Sequence, residues 1–303
     1  MGHLFGGVPS QDFEKAKVVL IPVPYDATTT YRPGARDGPD AIFDASRQLD
    51  EFWGEDRWHP MAEQGFIYTL EETYPRGGST LQHLNSVMQT IIVEVVSRDK
   101  IPFMLGGDHS LSYSAVFAVH TRYQDFSILH FDAHPDLRNS YQGNLYSHAC
   151  VMRRCYELSD VSLTSVGIRS IDCDTADYIA DTVLKNTPRK SLNLFYADQI
   201  RRHGVPFGEI LSMLKPKVYI TIDLDAFDPS IMPAVGTPQP AGLGWEHVID
   251  LLSMVFKYRT VIGMDVVELA PIPGIVYPNV TAAKLVWHML EMFYTSGQQE
   301  VIA

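Results

Sequence analysis

Acidic and histidine side chains follow four apolar segments of this 303-residue chain, at the points where the segments end. In an extended backbone, residues i and i+2 point to the same side, so Asp132 and His134 can direct two ligand atoms into one cavity. The same spacing joins Asp223 and Asp225. Several carboxylates together after apolar strands are costly to desolvate and repel one another unless cations neutralise them. The pattern therefore predicts a metal site.

The number of candidate ligands indicates two metal ions rather than one. Four carboxylates and two imidazoles are available, namely His109, Asp132, His134, Asp136, Asp223 and Asp225. They are too many for one small cation if all converge, and they suit a pair of ions with two bridging carboxylates. A single Asp in such a place more often forms a cap or a turn. An oxygen-rich set without thiolate favours Mn²⁺ ahead of Zn²⁺.

The charge expected at this site constrains the reaction and the substrate. Two divalent cations offset the four carboxylates, and a metal-bound hydroxide together with Glu268 leaves roughly two negative charges. Such a pocket favours a cationic substrate and disfavours a phosphate ester. Water between two metal ions has a lowered pKa and becomes a nucleophile, so the site predicts a hydrolase.

The elements that must position these side chains alternate between strands and helices. Apolar runs rich in β-branched residues predict strands at 17–24, 101–105, 126–131, 161–167, 217–224 and 261–267. Helical spacing recurs at 81–98, 245–257 and 281–295, and Pro39 is placed to open a helix towards Leu49. Strands that are apolar on both faces are typical of a parallel sheet covered by helices. We therefore predict an α/β fold: a single doubly wound three-layer α/β/α domain over residues 1–303, with a mostly parallel sheet and a site at its carboxyl edge.

Composition and charge exclude other classes of protein. The chain has 36 acidic and 24 basic side chains, a formal net charge of −12, which argues against a nucleic-acid partner. No apolar stretch approaches the ~18 residues of a membrane span. The first residues lack the features of a secretion signal, so we expect a cytoplasmic protein with no membrane partner. The odd number of cysteines (Cys150, Cys155 and Cys173) matches no zinc motif and predicts reduced thiols that pack as small hydrophobic groups.

Four motifs that carry these residues resemble those of the ureohydrolase family of arginases and agmatinases. They are GGDHS (106–110), DAHPD (132–136), SHACVMRR (147–154) and DLDAFDP (223–229), in the family's order and with similar spacing. Segments 24–42 and 265–271 are similar to agmatinases in particular. The resemblance covers nearly the whole chain and implies the arginase-like fold.

The resemblance also implies a role for each candidate residue. One Mn²⁺ would be held by His109, Asp132, Asp136 and Asp223, and the other by Asp132, His134, Asp223 and Asp225. A bridging hydroxide would attack the guanidinium carbon, Glu268 would pair with the guanidinium, and His148 would relay the proton that the departing amine needs. Agmatine would give urea and putrescine, a step of polyamine biosynthesis. Family members form trimers or hexamers, so we expect a homo-oligomer.

Three further polar residues lie beside these motifs without matching a family ligand. We expect Asp108 and Asp265 to hydrogen-bond the ligands, and His130 to pack beside the site or to support a ligand.

Substrate choice depends on the loops that meet the far end of the guanidino compound, here 138–147 and 25–35. These are more similar to agmatinases than to arginases, although Pro135, Cys150 and the LAP that follows Glu268 depart from the commoner pattern. Guanidinobutyrate, aminopropylagmatine and arginine remain alternative substrates. An acidic substrate such as formimidoylglutamate fits the charge of the pocket poorly.

Proteins of other classes offer three alternatives. A two-metal phosphoesterase usually has its Asp-x-His motif first, whereas GGDH precedes DAH here. Metal-dependent deacetylases resemble one another in an adjacent His-His pair, which this chain lacks. A non-catalytic metal-binding protein would have no need of both His148 and Glu268.

Overall fold

Eight parallel strands form one sheet in the part of the chain that the computed structural model describes, residues 4–7, 12–49, 61, 65–71 and 81–298. The strands are β1 (Val18–Val23), β2 (Ile67–Thr69), β3 (Ile101–Gly106), β4 (Phe126–Phe131), β5 (Val161–Ile168), β6 (Leu192–Tyr196), β7 (Lys217–Asp223) and β8 (Thr260–Val267). Their order across the sheet is β2-β1-β3-β8-β7-β4-β5-β6, and every neighbouring pair is parallel.

Nine α-helices within the described ranges cover the two faces of this sheet. They are α1 (Gly38–Ser46), α2 (Leu81–Ser97), α3 (Ser112–His120), α4 (Val151–Glu157), α5 (Cys173–Val183), α6 (Ala197–His203), α7 (Phe207–Met213), α8 (Trp245–Tyr258) and α9 (Tyr277–Thr295). One apolar core joins the sheet to α1, α6, α7, α8 and α9, and a second joins it to α2, α3, α4 and α5. Successive residues of β1 alternate between the two cores, as the pleat of a strand requires.

The predicted three-layer α/β/α architecture is confirmed, and the sheet is parallel throughout rather than mostly parallel. The strand and helix predictions match the central elements closely. Two strands, β2 and β6, were not predicted. Both lie at the edges of the sheet, where a strand is short or partly exposed and lacks the continuous apolar run of a central strand. The single domain over residues 1–303 stays a prediction.

The last helix begins four residues earlier than its apolar spacing predicts, at Tyr277 rather than at residue 281. Pro278 lies in its first turn, where the missing backbone N–H has no helical partner to lose.

None of the helices in the described ranges is long and apolar enough to cross a membrane. Cys150 and Cys155 are buried free thiols as expected, whereas Cys173 is exposed at the start of α5.

The four strands that precede the candidate site are adjacent in the centre of the sheet, in the order β3-β8-β7-β4. Their carboxyl ends are nearly level, because Leu105 of β3 pairs with Val266 of β8, and Ile222 of β7 pairs with Phe131 of β4. The residues that follow these strands therefore meet at one edge of the sheet, in the region where open α/β sheets bind ligands.

Candidate metal centre

Short turns place the predicted ligands directly after the central strands. A 3₁₀ turn (His109–Leu111) follows β3, and the side chain of Asp108 caps it by accepting a hydrogen bond from the backbone N of Ser110 at 3.1 Å. A second 3₁₀ turn (Leu224–Ala226) follows β7, capped by Asp223, whose Oδ1 accepts from the backbone N of Asp225 at 2.8 Å. Asp at such a cap satisfies a backbone donor that would otherwise have no partner, so the local sequence favours these turns.

One group of predicted ligands converges on a single nitrogen of His109. Its Nδ1 lies 3.2 Å from Oδ2 of Asp132, 3.1 Å from Oδ2 of Asp136 and 3.3 Å from Oδ2 of Asp223. None of these contacts has hydrogen-bond geometry, so this buried nitrogen has no hydrogen-bond partner among the described residues. A buried polar atom that faces three carboxylates without a hydrogen bond fits a site for a cation.

A second group lies beside the first and shares Asp132 with it. Nδ1 of His134 is 3.4 Å from Oδ1 of Asp132 and 3.0 Å from Oδ2 of Asp225. By the spacing of their ligand atoms alone, Asp132, His134 and Asp225 form one candidate metal-binding group, and Asp132 also belongs to a second group with His109, His130 and Asp136. The structure thus brings all six predicted ligands together. It places Asp223 beside the first group, so the bridging role of Asp223 stays a prediction.

A chain of hydrogen bonds fixes the ring of His109. Its Nε2 lies 3.0 Å from Oγ1 of Thr221, and Thr221 donates its only hydroxyl proton to Oδ1 of Asp265 at 2.6 Å. Tyr219 donates to the other oxygen of Asp265 at 2.7 Å. Thr221 must therefore accept from Nε2–H, which leaves the lone pair of Nδ1 available to a cation. The expectation that Asp265 and Asp108 hydrogen-bond the ligands directly was wrong: Asp265 acts through Thr221, and Asp108 accepts from Thr28 and Ser110.

His130 supports a ligand directly. Its Nε2 lies 2.9 Å from Oδ2 of Asp132, and its Nδ1 lies 3.0 Å from Oγ of Ser165. The ring is fully buried, and burial lowers its pKa. A neutral imidazole that donates from Nε2 stabilises the Asp132 carboxylate without competing for the cation site.

The acidic groups of the centre perturb one another strongly. Burial, and then the charge of Asp132, raise the pKa of Asp136 to about 7. Burial, followed by the charges of Asp225 and Asp132, raises the pKa of Asp223 well above its usual range. Burial opposes protonation of His134, but the carboxylates of Asp225 and Asp132 outweigh it and raise its pKa to about 12. The protein alone would therefore hold protons here, and divalent cations could take their place.

Two of the candidate residues have a left-handed backbone that non-glycine residues seldom adopt. Asp136 has a φ of 51° and Glu268 a φ of 69°. This conformation costs roughly 1 kcal/mol or more for each residue and persists where surrounding contacts impose it. For Glu268 those contacts include its own N–H, which donates to the carbonyl of Gly107 at 2.8 Å, and its Oε1, which accepts from the backbone N of His109 at 2.8 Å. Glu268 is thus held next to the first ligand group.

A cavity of about 200 Å³ opens beside the ligands. The predicted site residues that line it are His134, Asp136, His148, Asp223 and Glu268. Burial lowers the pKa of His148, so its imidazole is neutral at pH 7. Arg138 and Asp172 also line the cavity and form an ion pair at 3.2 Å.

Three residues near the centre, Thr221, Thr28 and Asp172, have no sequence pattern that indicates a function. In the sequence, Thr221 is one of several β-branched residues of a predicted strand. Thr28 is one of three consecutive threonines in a loop. Asp172 also caps α5, which is reason enough for an Asp at that position. They are recognised only in the folded chain, where Thr221 contacts His109, Thr28 contacts His148 and Asp172 pairs with Arg138.

Comparisons with known proteins find similarity over nearly the whole chain. The model of the Arginase family matches residues 16–291. The chain is 40% identical over 288 residues to an N(1)-aminopropylagmatine ureohydrolase of Thermus thermophilus, covering 95% of this chain and 94% of that protein. It is 30% identical to an agmatinase of Pyrococcus horikoshii, covering 94% of this chain and 95% of that one. The crystal structure of the agmatine ureohydrolase of Thermoplasma volcanium superposes with a TM-score of 0.77 at 29% identity, over 96% of this chain and 95% of that one.

Proposed function

This chain belongs to the arginase family, and from that premise we propose that it hydrolyses the guanidino group of N(1)-aminopropylagmatine, releasing urea and spermidine. Agmatine, with urea and putrescine as products, is the second candidate. The observation that carries a metal-dependent hydrolysis is the buried Nδ1 of His109, which faces three carboxylates without a hydrogen bond.

The donor set suits the cofactor that we propose, two Mn²⁺ ions. The residues that would hold them are His109, Asp132, His134, Asp136, Asp223 and Asp225. Nitrogen and carboxylate oxygen without thiolate favour Mn²⁺. Bound there, the two ions would supply Lewis-acid activation of water as the nucleophile.

Glu268 is the residue that we propose binds the guanidinium. Its carboxylate lines the cavity and is oriented before substrate arrives, because Oε1 already accepts from the backbone N of His109. A carboxylate binds a planar guanidinium through charge-assisted hydrogen bonds, and a preset orientation reduces the entropy lost on binding.

His148 is the residue that we propose serves the leaving group. Hydrolysis breaks the bond between the guanidino carbon and the nitrogen that carries the alkyl chain, and this nitrogen must gain a proton to leave as an amine. His148 lines the cavity, and a histidine of lowered pKa readily gives up a proton that it has taken up.

The distribution of charge along the cavity supports a substrate with several positive charges. The side chain of Asp223 is 6% exposed, whereas that of Asp172 is 26% exposed, so the lining carboxylates lie at different depths. A guanidinium at the buried end would leave ammonium groups of the same molecule near Asp172, whose carboxylate they would share with Arg138. N(1)-aminopropylagmatine carries two such amines and agmatine one.

The relatives favour the longer substrate. The Thermus thermophilus relative, at 40% identity, is named for N(1)-aminopropylagmatine, whereas the Pyrococcus horikoshii agmatinase is 30% identical. The prediction of agmatine from the motifs therefore becomes the second candidate. Guanidinobutyrate carries a carboxylate that the acidic cavity would repel.

The test is a panel of guanidino compounds assayed with Mn²⁺ by urea release. We expect kcat/KM for N(1)-aminopropylagmatine to exceed that for agmatine by at least about tenfold, a difference of ~1.4 kcal/mol in transition-state binding. Guanidinobutyrate and arginine should be poorer still, and added salt should lower kcat/KM for the cations. A higher kcat/KM for agmatine would reverse the order of the candidates. Release of no urea from any compound would refute the proposed activity.

We also propose a cytoplasmic location and a homo-oligomer, a trimer or a hexamer. Light scattering on the purified protein measures the number of subunits directly, and a monomer would contradict this proposal.

A further inference from the structure

We propose that Thr28 is a positioning residue for His148: its hydroxyl holds the imidazole in the tautomer that carries its proton on Nδ1, so that Nε2 keeps a lone pair for the reaction. This inference rests on the proposed function, in which His148 serves the leaving amine. Thr28 touches none of the candidate ligands through a hydrogen bond within the described residues.

The hydroxyl of Thr28 lies between a buried carboxylate and the imidazole. Oγ1 donates to Oδ2 of Asp108 at 3.0 Å and lies 3.3 Å from Nδ1 of His148. The same oxygen accepts the backbone N–H of His148 at 3.0 Å. Thr28 thus holds both the backbone and the ring of His148, although the two residues are 120 positions apart in the chain.

The direction of these hydrogen bonds follows from counting protons. Asp108 is completely buried, and its two oxygens receive four donors: the backbone N and the hydroxyl of Thr28, and the backbone N and the hydroxyl of Ser110. The single hydroxyl proton of Thr28 is therefore committed to Asp108. Towards His148 the hydroxyl can offer only a lone pair, so Nδ1 must carry the proton.

The remaining contacts of the ring agree with this assignment. The hydroxyl of Ser147 lies 3.3 Å from the same Nδ1 and can rotate to accept from it. The ring of Tyr141 meets that of His148 edge to face at 6.0 Å. Nε2 makes no hydrogen bond within the described part of the chain, and His148 lines the cavity. Nε2 is thus the ring nitrogen left for the substrate.

The same arrangement occurs a second time in this molecule. Nε2 of His109 contacts Thr221, whose hydroxyl donates to the buried Asp265, just as Nδ1 of His148 contacts Thr28, whose hydroxyl donates to the buried Asp108. In both cases the threonine hydroxyl donates to the aspartate and can only accept from the histidine. The contacted ring nitrogen, Nε2 of His109 or Nδ1 of His148, therefore carries the proton, and the other ring nitrogen keeps a lone pair.

The tautomer matters for the proton balance of the reaction. Neutral His148 with its proton on Nδ1 can take a proton from solvent at Nε2 and give it to the departing amine, returning to the neutral form. With the proton on Nε2, the nitrogen that faces the cavity has no lone pair with which to take up that proton. General acid–base catalysis of this kind contributes about 10²–10⁴-fold to a rate.

A double-mutant cycle tests the proposal. We expect Thr28→Val to lower kcat about 10–100-fold, with little change in KM or in bound Mn²⁺, and Thr28→Ser to retain kcat within about threefold. In the His148→Ala background, Thr28→Val should have almost no further effect, because its effect passes through His148. An equal loss in both backgrounds would overturn the proposal. Thr29→Val is the matched control, since the hydroxyl of Thr29 has no hydrogen-bond partner among the described residues.

If His148→Ala is too slow to assay, NMR spectroscopy can test the tautomer of His148 without measuring turnover. In ¹⁵N-histidine-labelled protein loaded with diamagnetic Zn²⁺, long-range ¹H–¹⁵N spectra distinguish the two tautomers, and His148→Ala identifies the signal. We expect the Nδ1–H form in the wild type and a loss of this preference in Thr28→Val. An Nε2–H form in the wild type would refute the inference. If no guanidino compound yields urea, the proposed function fails, while this spectrum still tests the role of Thr28.

Discussion

Thr221→Val is the perturbation that most directly tests how the candidate metal centre is held. Valine has nearly the same shape as threonine, and Thr221 is completely buried in β7, so the substitution removes the hydroxyl with little change in packing. Two hydrogen bonds are lost, the one that Thr221 accepts from Nε2 of His109 at 3.0 Å and the one that it donates to Asp265 at 2.6 Å.

The magnitude follows from these two contacts. Removing the partner that orients a metal-ligating histidine typically costs 10–100-fold in metal affinity, which is about 1.4–2.7 kcal/mol. Separately, the N–H of His109 loses its acceptor, and Oδ1 of Asp265 loses the donor Thr221, whereas Oδ2 keeps its hydrogen bond from Tyr219. At about 1–3 kcal/mol for each buried group left without a partner, the metal-free protein should lose about 2–6 kcal/mol of unfolding free energy.

The assay is titration of Mn²⁺ by calorimetry or by competition with a chelator, together with urea denaturation of the metal-free protein. The matched control is Thr164→Val in β5, where a buried threonine hydroxyl accepts from Nδ2 of Asn193 at 3.3 Å, away from the candidate ligands. We expect the control to keep its Mn²⁺ affinity. Unchanged Mn²⁺ affinity in Thr221→Val would refute the argument that this hydrogen bond prepares His109 as a ligand.

Three further predictions concern the ligands, the substrate and pH. Asp132→Asn should lose both Mn²⁺ and activity, because Asp132 is shared by both ligand groups, whereas His148→Ala should keep its Mn²⁺ and lose about 10²–10⁴-fold in kcat; metal analysis separates the two, and loss of Mn²⁺ from His148→Ala would contradict this division. Asp172→Asn should raise KM for cationic substrates about tenfold with kcat nearly unchanged, and the exposed Asp174→Asn serves as control in steady-state assays. The pKa of Asp136 is raised to about 7, above its value in the unfolded chain, so below that pH the folded metal-free protein keeps a proton there that a cation must displace. The gain in Tm on adding Mn²⁺ should therefore be smaller at pH 6 than at pH 8, and an equal gain at both would argue against proton competition at this carboxyl.

Much of the fold could be predicted from the chain because its central strands are buried on both faces. The residues of β1, β3 and β4 are all buried, and such strands require continuous apolar runs that are visible in a sequence. The edge strands β2 and β6 lack this constraint and were missed. The order of the strands across the sheet depends on long-range pairing, which no local pattern encodes.

The candidate ligands were predictable for a similar reason. Polar residues at the ends of buried strands stand out against the apolar runs, and the Asp-x-His and Asp-x-Asp spacings indicate that their side chains share a direction. The family motifs then assigned roles to His148 and Glu268. The sequence could not show that Glu268 adopts a left-handed backbone and accepts from the N–H of His109, since that contact joins positions 159 residues apart.

By itself, then, the sequence determined the fold class and the family, and it predicted the set of side chains that could hold two cations. Each of these depends on residue type and on short-range spacing. The tertiary structure alone decided how the histidines are oriented. Thr221 and Thr28 are ordinary β-branched residues until folding brings Asp265 and Asp108 to their hydroxyls. A hydroxyl has one proton to donate, and only its three-dimensional surroundings decide which neighbour receives it.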